Sequence, residues 1–374
     1  MKVVYVNDIV YGYAIGDPAA RGGAERYGWH LMRALAHAGW SVTVGVYSLP
    51  EGTVRVIDEV KFLGLSRRTH FLLDWYTFLK NERPDWCFWQ CADHLWGPAA
   101  EIAQWLQVRT IFSTMHDRDV QPRIALKFRK YWWPLYVWGL RRSNLIFVQH
   151  QDQRDQLAAP LRNRAFPLPG IVPLPGAVKP HFERKEAVLW VAVIRPVKRP
   201  DRLIEIARRL PMIRFIVCGA PSFDLWDAKE IESILAQLRS LPNVDFRGHV
   251  DPDETLNAIS DASLLLSTSD GEGFPSVFLE AWAAGTPVVS VQIDPDGKIR
   301  NSKLGEMGDT LEGTIEAVRS LMASSEQRQE MGLRARRHVE EVHSPSSAVR
   351  AFEAAVAAMS TRRLPSNINA KITR

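Results

Sequence analysis

The sequence predicts an α/β protein with two doubly wound domains, each a parallel sheet covered by helices. Short apolar runs alternate with helix-like segments through both halves of the 374-residue chain, as in parallel sheets with crossover helices. A proline-rich stretch, residues 163–180, separates the two series and has the composition of an interdomain linker. We therefore expect one domain over residues 1–170 and a second over residues 181–344.

The first half opens with a βαβ pattern. An apolar strand over 3–6 precedes a glycine-bearing loop, a helix over 25–38 that Gly39 ends, and a strand over 41–47. Gly22 and Gly23, just before the helix, let the backbone approach a bound group closely. A flexible surface loop explains the pair equally well. Further strands are predicted at 85–90, 109–113 and 145–149.

The second half starts a new series of strands and helices. Its first strand, 187–194, leads through a basic loop into an amphipathic helix. Helices are predicted near the end, where Ser344 is a plausible N-cap before proline. The predicted strands lie at 215–219, 244–247, 262–266 and 288–291, and the late helices at 310–322, 325–341 and 345–359.

Composition limits the class of protein and its compartment. A net charge of +5 and a pI near 9.1 permit anionic partners without choosing among them. Cys87, Cys91 and Cys218 fit neither a disulfide framework nor a zinc pattern, which favours a reducing compartment. The start lacks a signal-peptide pattern, and no apolar run reaches spanning length. We expect a cytoplasmic protein without a metal site.

Residues 270–290 carry the main functional pattern. A helix is predicted over 276–284, with Pro275 at its start and Gly285 as a left-handed C-cap. Backbone amides at its N-terminus form a seat for an anion such as phosphate. Periodicity predicts that Glu272 and Glu280 share a quadrant of one helical face. A nucleotide-diphosphate sugar supplies phosphates for the amides and hydroxyls for the carboxylates. Acids that only complement the dipole or face solvent are the alternative.

Two further groups of polar residues follow predicted strands. Arg195 and Lys198 come after strand 187–194 and precede a helix, a position suited to a diphosphate. A solvated basic loop is the alternative. His116 follows strand 109–113 at the edge where doubly wound sheets bind ligands, although a lone loop histidine is more often structural. His94 is a weaker candidate.

The stretch from Glu272 through Gly-Phe-Pro to Glu280, followed by Ala284-Gly-Thr-Pro-Val-Val, closely resembles the signature of family 4 glycosyltransferases. These are retaining enzymes of the GT-B fold, with two Rossmann-like domains that face a central cleft. The resemblance implies that residues 1–170 bind the acceptor and 181–344 the nucleotide sugar. It also implies that residues 345–374 form a helix returning to the first domain and a basic tail.

The resemblance implies metal-independent hexosyl transfer from a nucleotide-diphosphate sugar to a glycan or lipid-linked acceptor, most often in bacterial polysaccharide or envelope synthesis. No cofactor is required. Residues 247–250 would contact the nucleobase, Glu280 the ribose, and Arg195 and Lys198 the diphosphate. The implied catalytic residues are His116, Glu272, Arg195 and Lys198; the implied donor-binding residues are Gly22, Gly23, Arg195, Lys198, His249, Val250, Gly273, Phe274, Pro275, Ser276 and Glu280.

The chain departs from the family pattern at two places. Ala192-Val193 stands where the family commonly has Gly-Arg, so Arg195 is expected to take over the arginine's role. Residues 292–298 lack a glutamate that is often found there. A non-catalytic GT-B scaffold or regulatory subunit of a polysaccharide assembly complex is the alternative function, although the four charged residues together argue against it.

The aromatic-basic segment, residues 123–142, combines Tyr131-Trp-Trp-Pro-Leu-Tyr-Val-Trp with flanking arginines and lysines. Such a composition suits the headgroup region of an anionic membrane, and we consider peripheral attachment to the inner face of the membrane. Aromatic rings that face a core are the alternative, and Pro134 interrupts any long helix. Nucleic-acid binding is not expected, because no stacking groove is indicated.

Overall fold

The computed structural model describes residues 1–17, 20, 22–66, 70–126, 130–222, 227–272 and 274–360. Gly273, Lys127 and Arg129 of the patterns above, and the tail 361–374, lie outside these residues. The chain divides into two compact units. The first comprises Met1–Ile171 with the helix that begins at Pro345, and the second comprises Val172–Ser344. The chain passes from one to the other within the proline-rich stretch.

In the first unit, the described residues form an eight-stranded sheet ordered β3-β4-β2-β1-β5-β6-β7-β8. All neighbouring strands are parallel except β3 and β4, an antiparallel pair at one edge. The strands are β1 (Lys2–Val6), β2 (Ser41–Val46), β3 (Val54–Ile57), β4 (Val60–Gly64), β5 (Trp86–Gln90), β6 (Arg109–Ser113), β7 (Leu145–Val148) and β8 (Ala165–Pro167).

Helices cover both faces of this sheet and bury two apolar clusters. The expected glycine-bearing loop after β1 is wrong in part, because a short helix forms there. Asn7 caps it by accepting hydrogen bonds from the amides of Ile9 (2.9 Å) and Val10 (3.1 Å). The helices are α1 (Asp8–Ala14), α2 (Gly23–His37), α3 (Phe71–Glu82), α4 (Trp96–Trp105), α5 (Pro122–Ala125), α6 (Trp133–Arg142), α7 (Gln151–Gln156) and α8 (Ala159–Arg162).

The second unit contains a six-stranded sheet in its described part, ordered β11-β10-β9-β12-β13-β14 and parallel throughout. Its strands are β9 (Lys185–Val191), β10 (Arg214–Cys218), β11 (Val244–Gly248), β12 (Ala262–Ser267), β13 (Val288–Ser290) and β14 (Gly305–Met307). Its helices are α9 (Pro200–Arg209), α10 (Ala228–Ser240), α11 (Pro252–Asp261), α12 (Ser276–Ala283), α13 (Lys298–Ser302), α14 (Leu311–Ala323) and α15 (Ser325–His338), with a π-helical turn at Val339–His343.

The last described helix, α16 (Pro345–Ser360), packs against α2 in the first unit. Phe352 stacks on Phe147 of β7 with ring centroids 5.2 Å apart and meets Trp40 edge-on at 5.3 Å. The Trp40 indole donates to Glu353 Oε1 at 3.0 Å. These aromatic contacts make α16 part of the core of the first unit, although it follows the second unit in sequence.

Helix α12 has a well-built C-terminus. Gly285 adopts the left-handed conformation that the sequence predicted for it, with φ of 69°. Buried Arg184 donates to the carbonyl of Ala284 at 2.7 Å and to Thr286 Oγ1 at 2.6 Å. His181 Nε2 lies 2.9 Å from the Gly285 carbonyl. The helix end is therefore satisfied by side chains from the segment before β9.

Acid should destabilise the protein through His181. Burial, reinforced by the charge of Arg184, lowers the pKa of His181 to about 4, against about 6.5 in an unfolded chain. The unfolded state therefore binds more protons between these values, so stability falls as pH drops from about 6.5 to about 4, by up to about 3 kcal/mol. His181→Gln should flatten this part of the profile of Tm against pH, whereas His37→Gln, at an exposed position, should leave it unchanged. Equal slopes in both variants would contradict the assignment.

Candidate active site

The candidate site of the second unit lies where two neighbouring strands end. Strands β9 and β12 pair in parallel, with Leu189 opposite Leu265. The chain leaves β9 toward β10 on one side of the sheet, whereas β12 is followed by β13 on the other side. This reversal is the topological switch point at which doubly wound sheets bind ligands. The two loops beyond it contain Arg195–Arg199 and Thr268–Pro275.

The loop after β9 is a short 3-10 turn, Pro196–Lys198, with Arg195 as its N-cap residue. The Lys198 amide donates to the Arg195 carbonyl at 3.0 Å. Arg195 Nε is buried and makes no hydrogen bond within the described part of the chain. A buried guanidinium nitrogen in this situation suits an anionic ligand, because it carries a donor that the protein itself leaves unused.

The structure brings Lys198 and Glu272 together across the two loops. Lys198 Nζ donates to Glu272 Oε1, and the two side chains are only 14% and 16% exposed. Ser269 Oγ donates to the same carboxylate oxygen at 3.0 Å. A lysine and a glutamate that are largely shielded from water interact more strongly than a surface pair. The pair joins a lysine that the family resemblance assigns to the diphosphate and a glutamate that it implies is catalytic.

Backbone and side-chain hydrogen bonds fasten the two loops to each other. Thr268 Oγ1 donates to the Lys198 carbonyl at 2.6 Å and accepts from the Trp190 indole at 3.0 Å. The Asp270 amide donates to the Val197 carbonyl at 2.8 Å. Trp190 is buried in the core of the unit. The position of Lys198 is therefore determined by the packed sheet beneath it.

Helix α12 begins after Pro275, which cannot offer a side-chain acceptor to the first-turn amides. Ser276 is exposed at this end, and Phe274 lies with its ring 5.4 Å from that of His343. Glu280 is on the helix and only 7% exposed. Glu272 precedes the helix, so the expectation that both glutamates share a helical face by 3.6-residue periodicity is wrong. The Lys198 contact, rather than helical spacing, positions Glu272.

His249 and Val250 follow β11 at its carboxyl end. His249 is exposed, whereas Val250 packs partly against the apolar cluster below. Arg247, the residue before Gly248, hydrogen-bonds Asp245 of its own strand at 3.1 Å. The expected nucleobase-reading stretch therefore lies at the same sheet edge as the loops of Lys198 and Glu272.

Sequence analysis missed a second ionic cluster in these loops. Asp270 accepts a hydrogen bond from Arg199 Nη1 at 3.1 Å and forms an ion pair with Arg202 Nη1 at 2.6 Å. Arg199 also bonds Asp201 and adopts the left-handed conformation, with φ of 50°, which costs a non-glycine residue about 1 to 2 kcal/mol. The only signal in the sequence is the high density of charged residues between 195 and 202, because Asp270 is distant from them in the chain.

In the first unit, the predicted residues follow β6 and precede α2. His116 is exposed, and its backbone amide donates to the buried carboxylate of Asp119 at 3.0 Å. Gly22 has a φ of 126°, which favours glycine. A Cβ at Gly22 would lie 2.0 Å from Glu25 Oε2. The carboxylate of Glu25 therefore occupies the end of α2 nearest the glycine pair, where it complements the helix dipole.

A histidine and an aspartate that sequence analysis left unassigned meet beside His116. His150 Nε2 lies 2.8 Å from Asp117 Oδ1, and Gln153 Nε2 donates to the same oxygen at 2.9 Å. The hydrogen bond from His150 holds the pKa of Asp117 below its usual range. Because His150 follows β7 and Asp117 follows β6, neighbouring strands account for the contact.

The aromatic-basic segment divides between surface and core. Tyr131 is 95% exposed and Trp132 is 52% exposed. Tyr136 is fully buried, and its hydroxyl donates to the Asp119 carbonyl at 2.6 Å. Pro134 lies in the first turn of α6, so it starts this helix and limits its length. The segment therefore has exposed rings at Tyr131 and Trp132 and a ring in the core at Tyr136.

The described residues lack both a metal-ligand cluster and a membrane-spanning helix. They contain no group of three His, Cys, Asp or Glu side chains arranged to hold a metal ion. Cys87 and Cys218 are buried, and all three cysteines are free thiols. Among the described helices, none combines the length and apolar content needed to cross a bilayer.

Two doubly wound sheets, one mainly and one wholly parallel, the second with paired charges at its switch point, define the class of GT-B glycosyltransferase folds. Residues 21–166 match the family described as Glycosyltransferase Family 4, and residues 177–338 match Glycosyl transferases group 1. The chain thus belongs to the family 4 glycosyltransferases, and the resemblance of its Glu272 to Glu280 signature is confirmed.

Individual relatives agree with this family. D-inositol 3-phosphate glycosyltransferase of Mycobacteroides abscessus is 30% identical over 110 residues, which span 29% of this chain and 25% of the relative. Sucrose-phosphate synthase from Thermosynechococcus elongatus superposes with a TM-score of 0.72 at 16% identity, covering 96% of this chain and 99% of its own. Anabaena HepE, solved with UDP and glucose, gives 0.70 at 13% identity, with 96% and 100% covered. These two likenesses establish the fold.

The Lys198 and Glu272 pair should be measurable as a coupling between variants. Lys198→Ala and Glu272→Gln should each lower stability slightly, and the double variant should lose about 1 kcal/mol less than the sum of the two, because the second change no longer breaks a contact. Urea unfolding of the three variants and the parent gives this cycle. Strict additivity would mean that the two side chains do not interact in solution.

Proposed function

We propose that the protein is a retaining glycosyltransferase that transfers a hexose from a nucleotide-diphosphate sugar to a glycan or lipid-linked acceptor. The observation that carries this proposal is the Lys198 and Glu272 pair at the switch point, beside the N-terminus of α12. It combines a cation, a carboxylate and backbone amides in one place. A diphosphate attached to a polyhydroxylated ring has the complementary groups.

The donor would lie along the carboxyl edge of the second sheet. Arg195 and Lys198 bind the diphosphate, aided by the first-turn amides of α12. Glu280, on the same helix, accepts from the ribose hydroxyls. Glu272 and the stretch around Phe274, Pro275 and Ser276 bind the sugar, and the stretch at His249 and Val250 lies against the nucleobase. The buried Nε of Arg195, unused within the described residues, supports its assignment to a phosphate.

Donor binding would exchange partners within the ion pair. When the diphosphate arrives, the ammonium of Lys198 turns from Glu272 to a phosphate oxygen. Glu272 retains its hydrogen bond from Ser269 and accepts a second from a sugar hydroxyl. Each charge thus keeps a partner throughout, which avoids the cost of an isolated charge in a site that is largely shielded from water.

Departure of the nucleotide is the demanding step, because negative charge grows on the leaving phosphate. Lys198, Arg195 and the helix amides are pre-arranged donors aimed at that charge, and such groups commonly make the largest contribution to catalysis. The scheme requires no metal ion or other cofactor. Retention of the anomeric configuration is proposed from family membership, and no nucleophilic carboxylate is assigned.

The acceptor would bind to the first unit, where His116 lies after β6 and the Gly22-Gly23 pair lies at the N-terminus of α2. Relatives named for D-inositol 3-phosphate and a neighbour solved with UDP and glucose support a polyhydroxylated acceptor and a nucleotide-sugar donor. We propose a role in bacterial polysaccharide or envelope glycan synthesis, on the cytoplasmic side of the membrane.

Variants of the donor site should separate binding from chemistry. Glu280→Gln should raise the donor Kd about tenfold, because a charged acceptor for ribose hydroxyls becomes neutral. Lys198→Ala should lower the rate of acceptor-independent donor hydrolysis about 100-fold, because the leaving phosphate loses a cation. Thermal-shift titration and product detection with UDP-, GDP- and ADP-sugars give both values.

Glu316→Gln, an exposed change on α14, is the matched control for these variants and should behave like the parent. Unchanged donor binding and turnover in both site variants would contradict the placement of the donor. A parent protein that binds a nucleotide sugar but never turns it over, with or without acceptor glycans, would favour the non-catalytic scaffold instead.

We also propose that the exposed part of the aromatic-basic segment rests on an anionic membrane surface. Tyr131 and Trp132 present their rings to solvent, and Ile124, 59% exposed, lies in the same segment with Arg123. Amphipathic rings at the lipid boundary and cations near headgroups are the two contributions that peripheral binding needs.

Replacing these rings should weaken vesicle binding. The Tyr131→Ser, Trp132→Ser double variant should bind phosphatidylglycerol-containing liposomes about tenfold less than the parent in a flotation assay, because buried apolar area is lost. Met212→Ser, at a comparably exposed position in the second unit, should bind like the parent. Equal binding of all three proteins, or equal binding to neutral liposomes, would rule out this surface.

A further inference from the structure

The ionic cluster formed by Arg199, Arg202 and Asp270 lies directly beside the pair of Lys198 and Glu272 in both loops. Arg199 follows Lys198 in the chain, and Asp270 precedes Glu272 by two residues. The cluster therefore acts on the same two loops as the proposed donor site. None of its three members has a role in the scheme above, and Arg199 also forms an ion pair with Asp201.

Arg199 combines a strained backbone with a side chain that bridges two carboxylates. Its φ of 50° and ψ of 57° lie in the left-handed region, where glycine would be unstrained. The guanidinium divides its donors between two carboxylates: Nε and Nη2 reach Asp201 at 2.9 and 2.7 Å, and Nη1 reaches Asp270 at 3.1 Å. A planar fork with donors on two sides suits this bridging, and lysine cannot reproduce it.

Arg199 and Arg202 contact Asp270 through different carboxylate oxygens, and we call these two contacts the clamp. Arg202 Nη1 lies 2.6 Å from Asp270 Oδ1 and also donates to the Thr268 carbonyl at 3.2 Å. Both arginines belong to the start of α9, whose apolar face is buried in the core. The loop from Thr268 to Glu272 is therefore attached to the start of α9 by a hydrogen bond at its first residue and by ion pairs at its third, and Glu272 follows two residues later.

We propose that Arg199 is a positioning residue of the donor site: through Asp270 it holds the loop that carries Glu272 in register with Lys198. This inference rests on the proposed function for its ligand, a nucleotide-diphosphate sugar. Without the clamp, the loop relaxes, Lys198 and Glu272 meet the donor less often in the correct arrangement, and the donor binds more weakly in ground state and transition state alike.

Arg199→Gly tests this directly, because it removes the Arg199 contact with Asp270 and relieves the strained backbone at the same time. Its Tm should be equal to or above that of the parent, while the donor KM rises about tenfold and kcat stays within about threefold, the signature of lost uniform binding. Arg199→Lys should raise KM less than Arg199→Gly does, since lysine keeps a cation near Asp270. Asp270→Asn should raise KM like Arg199→Gly, and the double variant should be no worse than either.

The matched control is Arg83→Gly, since Arg83 is an exposed arginine that also has a left-handed backbone, with φ of 46°, at the end of α3 in the first unit. It should keep the parent's KM. A parental KM in Arg199→Gly, with Lys198→Ala impaired, would overturn the clamp and leave the proposed function intact. If Lys198→Ala is also unimpaired, the proposed donor site fails. In that case, hydrogen exchange of the peptide spanning 268–272 decides: unchanged exchange in Arg199→Gly overturns the clamp, and faster exchange supports its hold on the loop.

Discussion

The parallel pairing of β9 with β12 is the constraint on which the rest of the second unit depends. Leu189 and Leu265 are both buried in that pairing, so the ends of the two strands cannot separate without opening the core. Because the connections leave in opposite directions, two loops remain side by side above the sheet. Cations from one loop and carboxylates from the other then meet, although Lys198 and Glu272 are far apart in sequence.

Charge balance explains how such a site exists without its ligand. A single ammonium or carboxylate with about 15% exposure would be poorly solvated. Pairing Lys198 with Glu272 neutralises both, and the hydroxyl of Ser269 adds a donor to the carboxylate. An ion pair formed in this way is exchangeable, because a diphosphate offers the lysine a more highly charged partner. Ligand affinity is then the difference between two sets of ionic contacts, rather than the full strength of either set.

The strands and the signature helix could be predicted because their signals are local. Buried parallel strands such as β6 form continuous apolar runs, and Pro275 with Gly285 brackets α12. Strands β3 and β4 were missed, because β3 lies at the sheet edge with three of its four residues exposed and lacks that apolar run. Helix α1 was missed although Asn7 and Asp8 carry a capping signal. The individual charges of the site were predicted, but their pairing was not: the clamp on Asp270 depends on contacts about 70 residues apart in the chain.

The two ends of α12 differ in capping: a side chain satisfies a carbonyl at the C-terminus, whereas the N-terminus has no side-chain cap. At the C-terminus, Gly285 supplies the left-handed turn and buried Arg184 donates to the Ala284 carbonyl. Burial of that guanidinium lowers the pKa of Arg184 to about 10. Because this value is still well above neutral pH, Arg184 stays charged and complements the negative end of the helix dipole. At the N-terminus, Pro275 provides no acceptor. A helix that needed only stability would be capped at both ends. The uncapped end is the one that lies beside Lys198 and Glu272, where an anionic group can accept from its amides.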